Sequence, residues 1–196
     1  MKTTHLYQKE VTLQADRRQI SAELIKIISD LWYEKSIEIV LFRNQLIDKN
    51  VSEILNLHEY AGAFVGKPIS IFNSIDIARA LSEIQLPPSK LDIGKLTYEF
   101  GLEEDKYPSA RYFVMEKLKK AKSSKEINPK DVVLYGFGRI GRLLARELVS
   151  KTGKGDQLRL RAIVIREKND AITLEKRASL LRYDSIHGDF MGSVVA

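Results

Sequence analysis

The spacing of apolar residues changes about two-thirds of the way along the chain. In the first part, apolar residues recur at intervals of three and four positions, which places them on one face of an α-helix. The clearest series is Ile20, Leu24, Ile27, Ile28 and Leu31. After Pro129 the chain continues as a short apolar run, a glycine-rich turn, an amphipathic segment and a second apolar run. The pattern predicts a helical bundle followed by a smaller α/β unit.

Local signals mark the ends of the predicted helices. Asn50, with Glu53 three residues later, forms a capping box that begins a helix, and Gly66 follows where this helix ends. Asp16 and Ser74 are the predicted N-caps of two other helices, and Pro108 is predicted to lie in the first turn of the last one. One more helix is predicted from the apolar residues Leu41, Phe42, Leu46 and Ile47.

A polar stretch at residues 121–129 ends in Asn-Pro and predicts a linker. We therefore divide the chain into a helical extension, residues 1–128, and a second unit, residues 129–196. This division predicts two domains with different kinds of secondary structure.

The second unit has the pattern of a strand, a turn, a helix and a strand. An apolar run at 132–135 precedes the glycines of 136–141, and a helical segment at 143–149 leads to another apolar run at 160–165. Apart from Arg161 the last run is apolar, which is typical of a strand buried on both faces of a parallel sheet. The order predicts a partial Rossmann-type βαβ unit, so the expected fold class is α plus α/β.

The glycine-rich turn has the spacing G-x-G-x-x-G and lies between the predicted strand and helix. Gly136 permits the tight turn, Gly138 lets a diphosphate approach the backbone, and Gly141 lets the helix pack closely on the strand. The free amides of Arg139, Ile140 and Gly141 would then point at the phosphates. In this context the motif predicts dinucleotide binding.

A dinucleotide site also needs an acidic residue after the second strand to bind the adenosine ribose. Glu167 and Asp170 are the two candidates. Asp170 is also a plausible turn residue, because Asn-Asp pairs favour turns. Arg166 stands beside Glu167 and is suited to a ribose 2′-phosphate, so the choice between NAD and NADP stays open.

The composition narrows the chemistry further. Hydrophobic residues make up 44% and charged residues 30%, which is typical of a globular protein. The chain has no cysteine and only three scattered histidines, so we expect no metal site and no thiol nucleophile. No acid or nucleophile lies near His58 at a spacing typical of a catalytic site, so His58 is expected at the surface or in a helix cap. With no long apolar segment and no secretory signal, the expected location is cytoplasmic, with no membrane partner.

The formal charge of +6 indicates an anionic partner of some kind. Part of the excess lies in one run, namely Lys117, Lys119, Lys120, Lys122 and Lys125. Such a run without aromatic residues is typical of a solvated helix end or linker. We therefore expect an anionic cofactor and substrate, and not nucleic acid, as the main partner.

Two strings together resemble a known family. Residues 135–142, YGFGRIGR, are similar to the opening signature of glyceraldehyde-3-phosphate dehydrogenases, and residues 180–190, LLRYDSIHGDF, resemble that family's Y-D-S-x-H-G segment. The residues before 129 are similar to the helical extension of a longer bacterial subfamily. The sequences at 161–164, RAIV, and at 176–181, KRASLL, also resemble those of that subfamily.

The resemblance implies NAD(P)-dependent oxidation of glyceraldehyde 3-phosphate with phosphate to 1,3-bisphosphoglycerate, by a homo-oligomer that is a tetramer in the family. The family's catalytic cysteine and histidine lie after the cofactor domain, so we expect no catalytic residue in this chain and no turnover by it alone. His187 belongs to the second string and is expected to be structural. The chain is expected to be a truncated N-terminal portion of such an enzyme.

Some features depart from the family. Tyr135 stands where asparagine is common in the family. The presence of Arg166 makes it less direct to assign the family's ribose-binding aspartate to a residue of this sequence. The alternative hypothesis is a non-catalytic helical interaction module joined to half a Rossmann fold, acting as a basic regulator that binds nucleic acid or protein.

Overall fold

The computed structural model describes residues 2–121, 128–167 and 170–196. It divides into two compact units, Met1–Glu126 and Ile127–Ala196, called here the N-terminal and C-terminal units. The centre of the predicted linker, residues 122–127, lies outside the described residues, as do Lys122 and Lys125 of the lysine run.

The N-terminal unit combines five helices with a small sheet among its described residues. In chain order the elements are α1 (Lys2–Lys35), β1 (Ile37–Leu41), β2 (Asn44–Gln45), α2 (Val51–Val65), α3 (Ile71–Glu83), β3 (Ser89–Asp92), α4 (Ile93–Glu103), a 3₁₀ turn (Glu104–Lys106) and α5 (Ala110–Lys117). The strands are ordered β2-β1-β3, with β1 antiparallel to β2 and parallel to β3. The expected helical bundle is therefore incomplete as a description, because a three-stranded sheet packs among the helices.

The helix predicted over Leu41–Ile47 is wrong, since this segment is a β-hairpin. Leu41 pairs with Asn44 across a two-residue turn. Both turn residues, Phe42 and Arg43, have positive φ angles of 45° and 73°, as a two-residue turn of type I′ requires. The amide of Phe42 donates to Asp92 Oδ1 at 3.0 Å. Pairing with β3 thus overrides the local helical spacing.

The predicted signals are confirmed at both ends of α2, where Gly66 forms the left-handed C-cap, and are wrong at the start of three other helices. Asn50 and Glu53 form the predicted capping box. Asp16 lies inside α1, which continues without a break from Lys2, so its N-cap prediction is wrong. Ser70 caps α3 in place of Ser74. Pro108 is predicted to lie in the first turn of α5, but it precedes the helix, because Ser109 stands at the N-cap.

His58 is buried, contrary to its expected surface or capping role, with 5% of its surface exposed. Its Nδ1 lies 2.8 Å from the carbonyl oxygen of Ile54 and its Nε2 lies 3.0 Å from Ser74 Oγ. Ser74 Oγ in turn lies 3.3 Å from Thr97 Oγ1. Because the Ile54 carbonyl can only accept, Nδ1 carries the proton and Nε2 accepts from Ser74. Burial of the ring lowers the pKa of His58.

The C-terminal unit contains the predicted βαβ arrangement. Its elements are β4 (Lys130–Tyr135), α6 (Arg139–Ser150), β5 (Leu158–Val164), α7 (Ala171–Arg182), β6 (Tyr183–Asp184) and β7 (Gly188–Asp189). β4 and β5 are parallel, and their register runs from Lys130 opposite Leu158 to Tyr135 opposite Val164. β6 and β7 form a short antiparallel hairpin. The α plus α/β fold class is confirmed.

The expectation that the second strand is buried on both faces is wrong for the described residues. Along β4, Val132 and Leu134 are half-buried whereas Val133 and Tyr135 are exposed. On β5, Val164 is also exposed. Since α6 packs against these two strands, only one face of this two-stranded sheet is covered.

Candidate functional site

The turn after β4 continues the parallel ladder and then changes direction sharply. The amide of Gly136 donates to the carbonyl oxygen of Val164 at 2.8 Å. Gly136 itself has a φ angle of +101°, a conformation that residues with a side chain rarely adopt. The first glycine of the motif is therefore required by the backbone path between β4 and α6.

The other two glycines have different surroundings. A Cβ at Gly141 would lie 2.3 Å from the carbonyl oxygen of Gly136, so α6 packs directly on the turn. A Cβ at Gly138 would meet no atom within 4 Å. The open space is thus at Gly138, where the backbone is exposed to an approaching ligand.

The N-terminus of α6 is left without a side-chain cap. Gly138 occupies the N-cap position and makes no side-chain hydrogen bond there. Helices α2, α3, α4 and α7 are each capped by a side chain, namely Asn50, Ser70, Asp92 and Asp170, whereas Ser109 at the start of α5 makes no such bond. The first-turn amides of α6, which belong to Arg139, Ile140 and Gly141, are therefore available to an anion. Open space at Gly138 and uncapped amides together fit a dinucleotide diphosphate.

Two arginines that the motif did not predict as site residues donate hydrogen bonds to the backbone of the glycine loop. The carbonyl oxygen of Phe137 accepts from Arg142 Nη1 at 3.4 Å and from Arg177 Nη1 at 3.3 Å. The ring of Phe137 is buried, with 8% exposed. Because C=O and N–H point in opposite directions across a trans peptide, fixing this carbonyl also fixes the direction of the Gly138 amide.

The two candidate ribose acids have different partners. Glu167 Oε2 lies 2.7 Å from Arg177 Nη2 and 3.1 Å from Arg177 Nε. Asp170 is the N-cap of α7, where its Oδ1 accepts from the amide of Thr173 at 2.7 Å. That hydrogen bond lowers the pKa of Asp170. Arg166 is exposed and makes no ion pair with the other described residues.

Arg177 therefore brings the glycine loop and Glu167 together, while Asp170 is engaged in starting α7. Arg177 lies in the segment 176–181 that resembles the longer subfamily, but its contacts could not be inferred from the sequence, because its partners lie 10 and 40 positions away. Arg142 stands within the first family-like string, but its contact with Phe137 could not be inferred from spacing.

The second string folds into a turn around Asp184. Its Oδ1 accepts from the amides of Ile186 and His187 at 3.0 and 2.9 Å, and His187 Nδ1 lies 3.0 Å away. The bonds from His187 hold the pKa of Asp184 far below its ordinary value. Arg142 Nη2 approaches the other carboxylate oxygen at 4.0 Å. The role of His187 in this geometry is to close the turn onto a carboxylate.

Arg146, one turn after Arg142 on α6, secures the rest of this string. Its guanidinium donates to the carbonyl oxygens of Leu181, Arg182 and Gly188 at 2.6–3.2 Å. It also lies over the ring of Phe190, 5.7 Å from the centroid. The string at 180–190 is thus attached to the helix that begins at the glycine loop.

Charge is unevenly distributed between the two parts of the chain. Residues 127–196 contain 13 of the 32 lysines and arginines but only 8 of the 26 acidic residues. Residues 1–126 hold the other 19 and 18, which nearly cancel. The positive excess therefore lies in the part that contains α6 and the glycine loop. Among the described residues, no cluster of three or more His, Asp or Glu could hold a metal ion, and no helix is long and apolar enough to cross a membrane.

Comparison with known proteins agrees with this geometry. Residues 130–196 match the family described as glyceraldehyde 3-phosphate dehydrogenase, NAD binding domain. Over 178 residues, 87% of the chain, the sequence is 39% identical to a glyceraldehyde-3-phosphate dehydrogenase-like protein of Pseudomonas aeruginosa, of which the match covers 38%. A match of this length must extend well into the N-terminal unit, so that relative shares the helical extension.

Shorter matches are limited to about a third of the chain. The glyceraldehyde-3-phosphate dehydrogenase of Mycoplasma pneumoniae is 43% identical over 65 residues, 33% of the chain and 17% of that relative. That of Zymomonas mobilis is 41% identical over 63 residues, 32% of the chain and 17% of the relative. The chain spans well under two thirds of the length of these relatives. Residues 130–196 thus match the NAD-binding domain of the glyceraldehyde-3-phosphate dehydrogenase family, and most of the chain is similar to a glyceraldehyde-3-phosphate dehydrogenase-like protein.

Proposed function

We propose that the C-terminal unit binds the diphosphate of NAD or NADP at residues 136–141, with Glu167 accepting from the adenosine ribose and Arg166 beside it. The observation that carries this proposal is the uncapped start of α6 next to the open space at Gly138. The first-turn amides and the helix dipole favour a doubly charged group there. Asp170 is the second candidate for the ribose, although its Oδ1 already accepts from Thr173.

We further propose that the whole protein oxidises glyceraldehyde 3-phosphate with inorganic phosphate to 1,3-bisphosphoglycerate, as a homo-oligomer. When bound, the nicotinamide supplies a hydride acceptor. The chain's own contribution is to bind and orient the dinucleotide. Its sequence contains no cysteine, so a thiol nucleophile would have to come from outside these 196 residues. We therefore assign no catalytic residue here.

The domain division proposed from the sequence, 1–128 and 129–196, assigns the cofactor entirely to the second part. The near balance of charges in residues 1–126 supports a structural or protein-contact role for the helical extension over nucleic-acid binding, which needs a positive excess.

The test is direct binding of each dinucleotide to the protein by titration calorimetry. We expect saturable binding of NAD, NADP or both, and weaker binding by the Gly138→Ala variant, in which a methyl group enters the open space. Absence of binding by the wild-type protein would contradict the proposal. Salt-sensitive binding of an oligonucleotide by a variant lacking residues 129–196 would instead support the regulator hypothesis.

A further inference from the structure

Arg177 contacts both parts of the proposed dinucleotide site at once. Its Nη1 donates to the carbonyl oxygen of Phe137 in the glycine loop. Its Nε and Nη2 both contact a single oxygen of Glu167, Oε2. The arginine side chain is 21% exposed and the glutamate side chain 46%. A planar guanidinium with five fixed donors can make such a set of contacts, whereas the flexible point charge of lysine cannot.

The two contacts constrain different parts of a bound dinucleotide. Holding the Phe137 carbonyl turns the Gly138 amide to the opposite side of the peptide plane, toward the open space. Holding Oε2 of Glu167 leaves Oε1 without a hydrogen-bond partner among the described residues. Oε1 is then the atom that remains to accept from a ribose hydroxyl.

The ion pair also sets the local charge. Arg166, Glu167 and Arg177 together carry one net positive charge, because the carboxylate is neutralised by Arg177. This net charge changes the binding of a neutral ribose hydroxyl little, but it strongly affects the binding of a negatively charged ribose 2′-phosphate. An unpaired Glu167 carboxylate would repel that phosphate.

We infer that Arg177 is a positioning residue of the dinucleotide site, which aligns the glycine loop with Glu167 and permits a 2′-phosphate to be accepted there. This inference rests on the proposed dinucleotide function. It makes Arg177, located on α7 and outside both family-like strings, a determinant of the preference between NADP and NAD.

The experiment measures dissociation constants for NAD and NADP with the wild-type protein and three variants. In Arg177→Gln we expect weaker binding of both, with NADP weakened about fivefold more than NAD, the size expected for one partly exposed ion pair. Arg177→Lys keeps the charge and should restore the ratio to within about twofold of wild type. Lys176→Gln, which removes a neighbouring exposed cation from α7, is the matched control and should leave the ratio unchanged.

A second measurement needs no cofactor. Amide hydrogen exchange at residues 136–141 should be faster in both Arg177 variants than in Lys176→Gln, because neither variant holds the Phe137 carbonyl as arginine does. In Glu167→Gln the further change Arg177→Gln should no longer alter the NADP-to-NAD ratio, because the carboxylate it neutralises is absent.

The outcomes separate the two proposals. If the wild-type protein binds neither dinucleotide, the proposed function fails and this inference fails with it. If it binds them but Arg177→Gln leaves both the ratio and the loop exchange unchanged, only the inference fails. An equal shift of the ratio in Lys176→Gln would also overturn it, since the effect would then be general electrostatics. Should Arg177→Gln not fold, the loop exchange in Arg177→Lys decides, and an exchange rate equal to that of Lys176→Gln would overturn the inference.

Discussion

Replacing Gly141 by alanine tests the packing of α6 on the turn that precedes it. The added Cβ would lie 2.3 Å from the carbonyl oxygen of Gly136 and 3.1 Å from its carbonyl carbon. Both neighbours are backbone atoms, so no flexible side chain can move aside. Carbon and oxygen atoms in contact lie about 3.3 Å apart or more, so the helix start must move by roughly 1 Å.

The expected loss of stability follows from two opposing effects. Forcing an extra methyl group into a packed contact costs about 1–3 kcal/mol. Alanine in a helix returns up to about 1 kcal/mol relative to glycine. We therefore expect the free energy of unfolding of the C-terminal unit to fall by about 1–2 kcal/mol. Dinucleotide binding should weaken as well, because the first-turn amides move with the helix.

The assay uses the single tryptophan as an internal control. Trp32 is buried in the N-terminal unit, with 7% exposed, and no other tryptophan is present. Urea unfolding followed by Trp32 fluorescence should therefore show the same transition in wild type and Gly141→Ala. Circular dichroism, which reports on both units, should show the destabilised transition.

Gly138→Ala is the matched comparison. Its Cβ meets no atom within 4 Å and its φ of −74° is open to alanine, so the unfolding free energy should change by less than about 0.5 kcal/mol. Binding of NAD should nevertheless fall on the order of tenfold or more, since the methyl group occupies the diphosphate space. A Gly141→Ala protein as stable as wild type, with unchanged NAD affinity, would refute the packing argument.

Three further predictions concern groups away from the glycine loop. Because burial lowers the pKa of His58, the N-terminal unit should lose stability as the pH falls below the ordinary value of 6.5, by up to about 1.4 kcal/mol per pH unit. Trp32 fluorescence in urea between pH 8 and 5 measures this slope, which should vanish in His58→Gln. The lowered pKa of Asp184 stabilises the C-terminal unit above the ordinary value of 3.8, and that stability is lost as the pH falls below it. Asp184→Asn should therefore be less stable at neutral pH and have a flatter acid transition by circular dichroism. Arg146→Ala removes donors from three carbonyl oxygens and should cost about 2 kcal/mol; an unchanged urea midpoint would contradict its proposed role.

Features set by neighbouring residues were predictable from the sequence. The capping box of Asn50 and Glu53 needs only residues three positions apart, and the turn at Gly136 is dictated by local backbone geometry. In each case the chemistry of the motif is complete within one turn of the chain, so no tertiary contact is needed to find it.

Features set by distant residues were not predictable. The hairpin at Phe42 uses non-glycine residues in the left-handed region, and it is supported by Asp92, 50 positions away. A Cβ at Gly94 would lie 2.7 Å from the Phe42 ring, so that glycine provides the space for the turn. The burial of His58 depends on Ser74, which lies on α3, 16 positions away, and pairs with its Nε2. None of these pairs is visible as a spacing.

The structure gives a physical reason why the two family-like strings occur together. Arg142 and Arg146 lie four positions apart, on one face of the helix that starts at the glycine loop. Arg142 contacts both the Phe137 carbonyl and the Asp184 carboxylate, and Arg146 holds the backbone on either side of the Asp184 turn. The second string therefore supplies contacts that fix the helix that follows the first string. A dinucleotide bound at the loop would rest on a helix whose other face is fixed by the turn around Asp184.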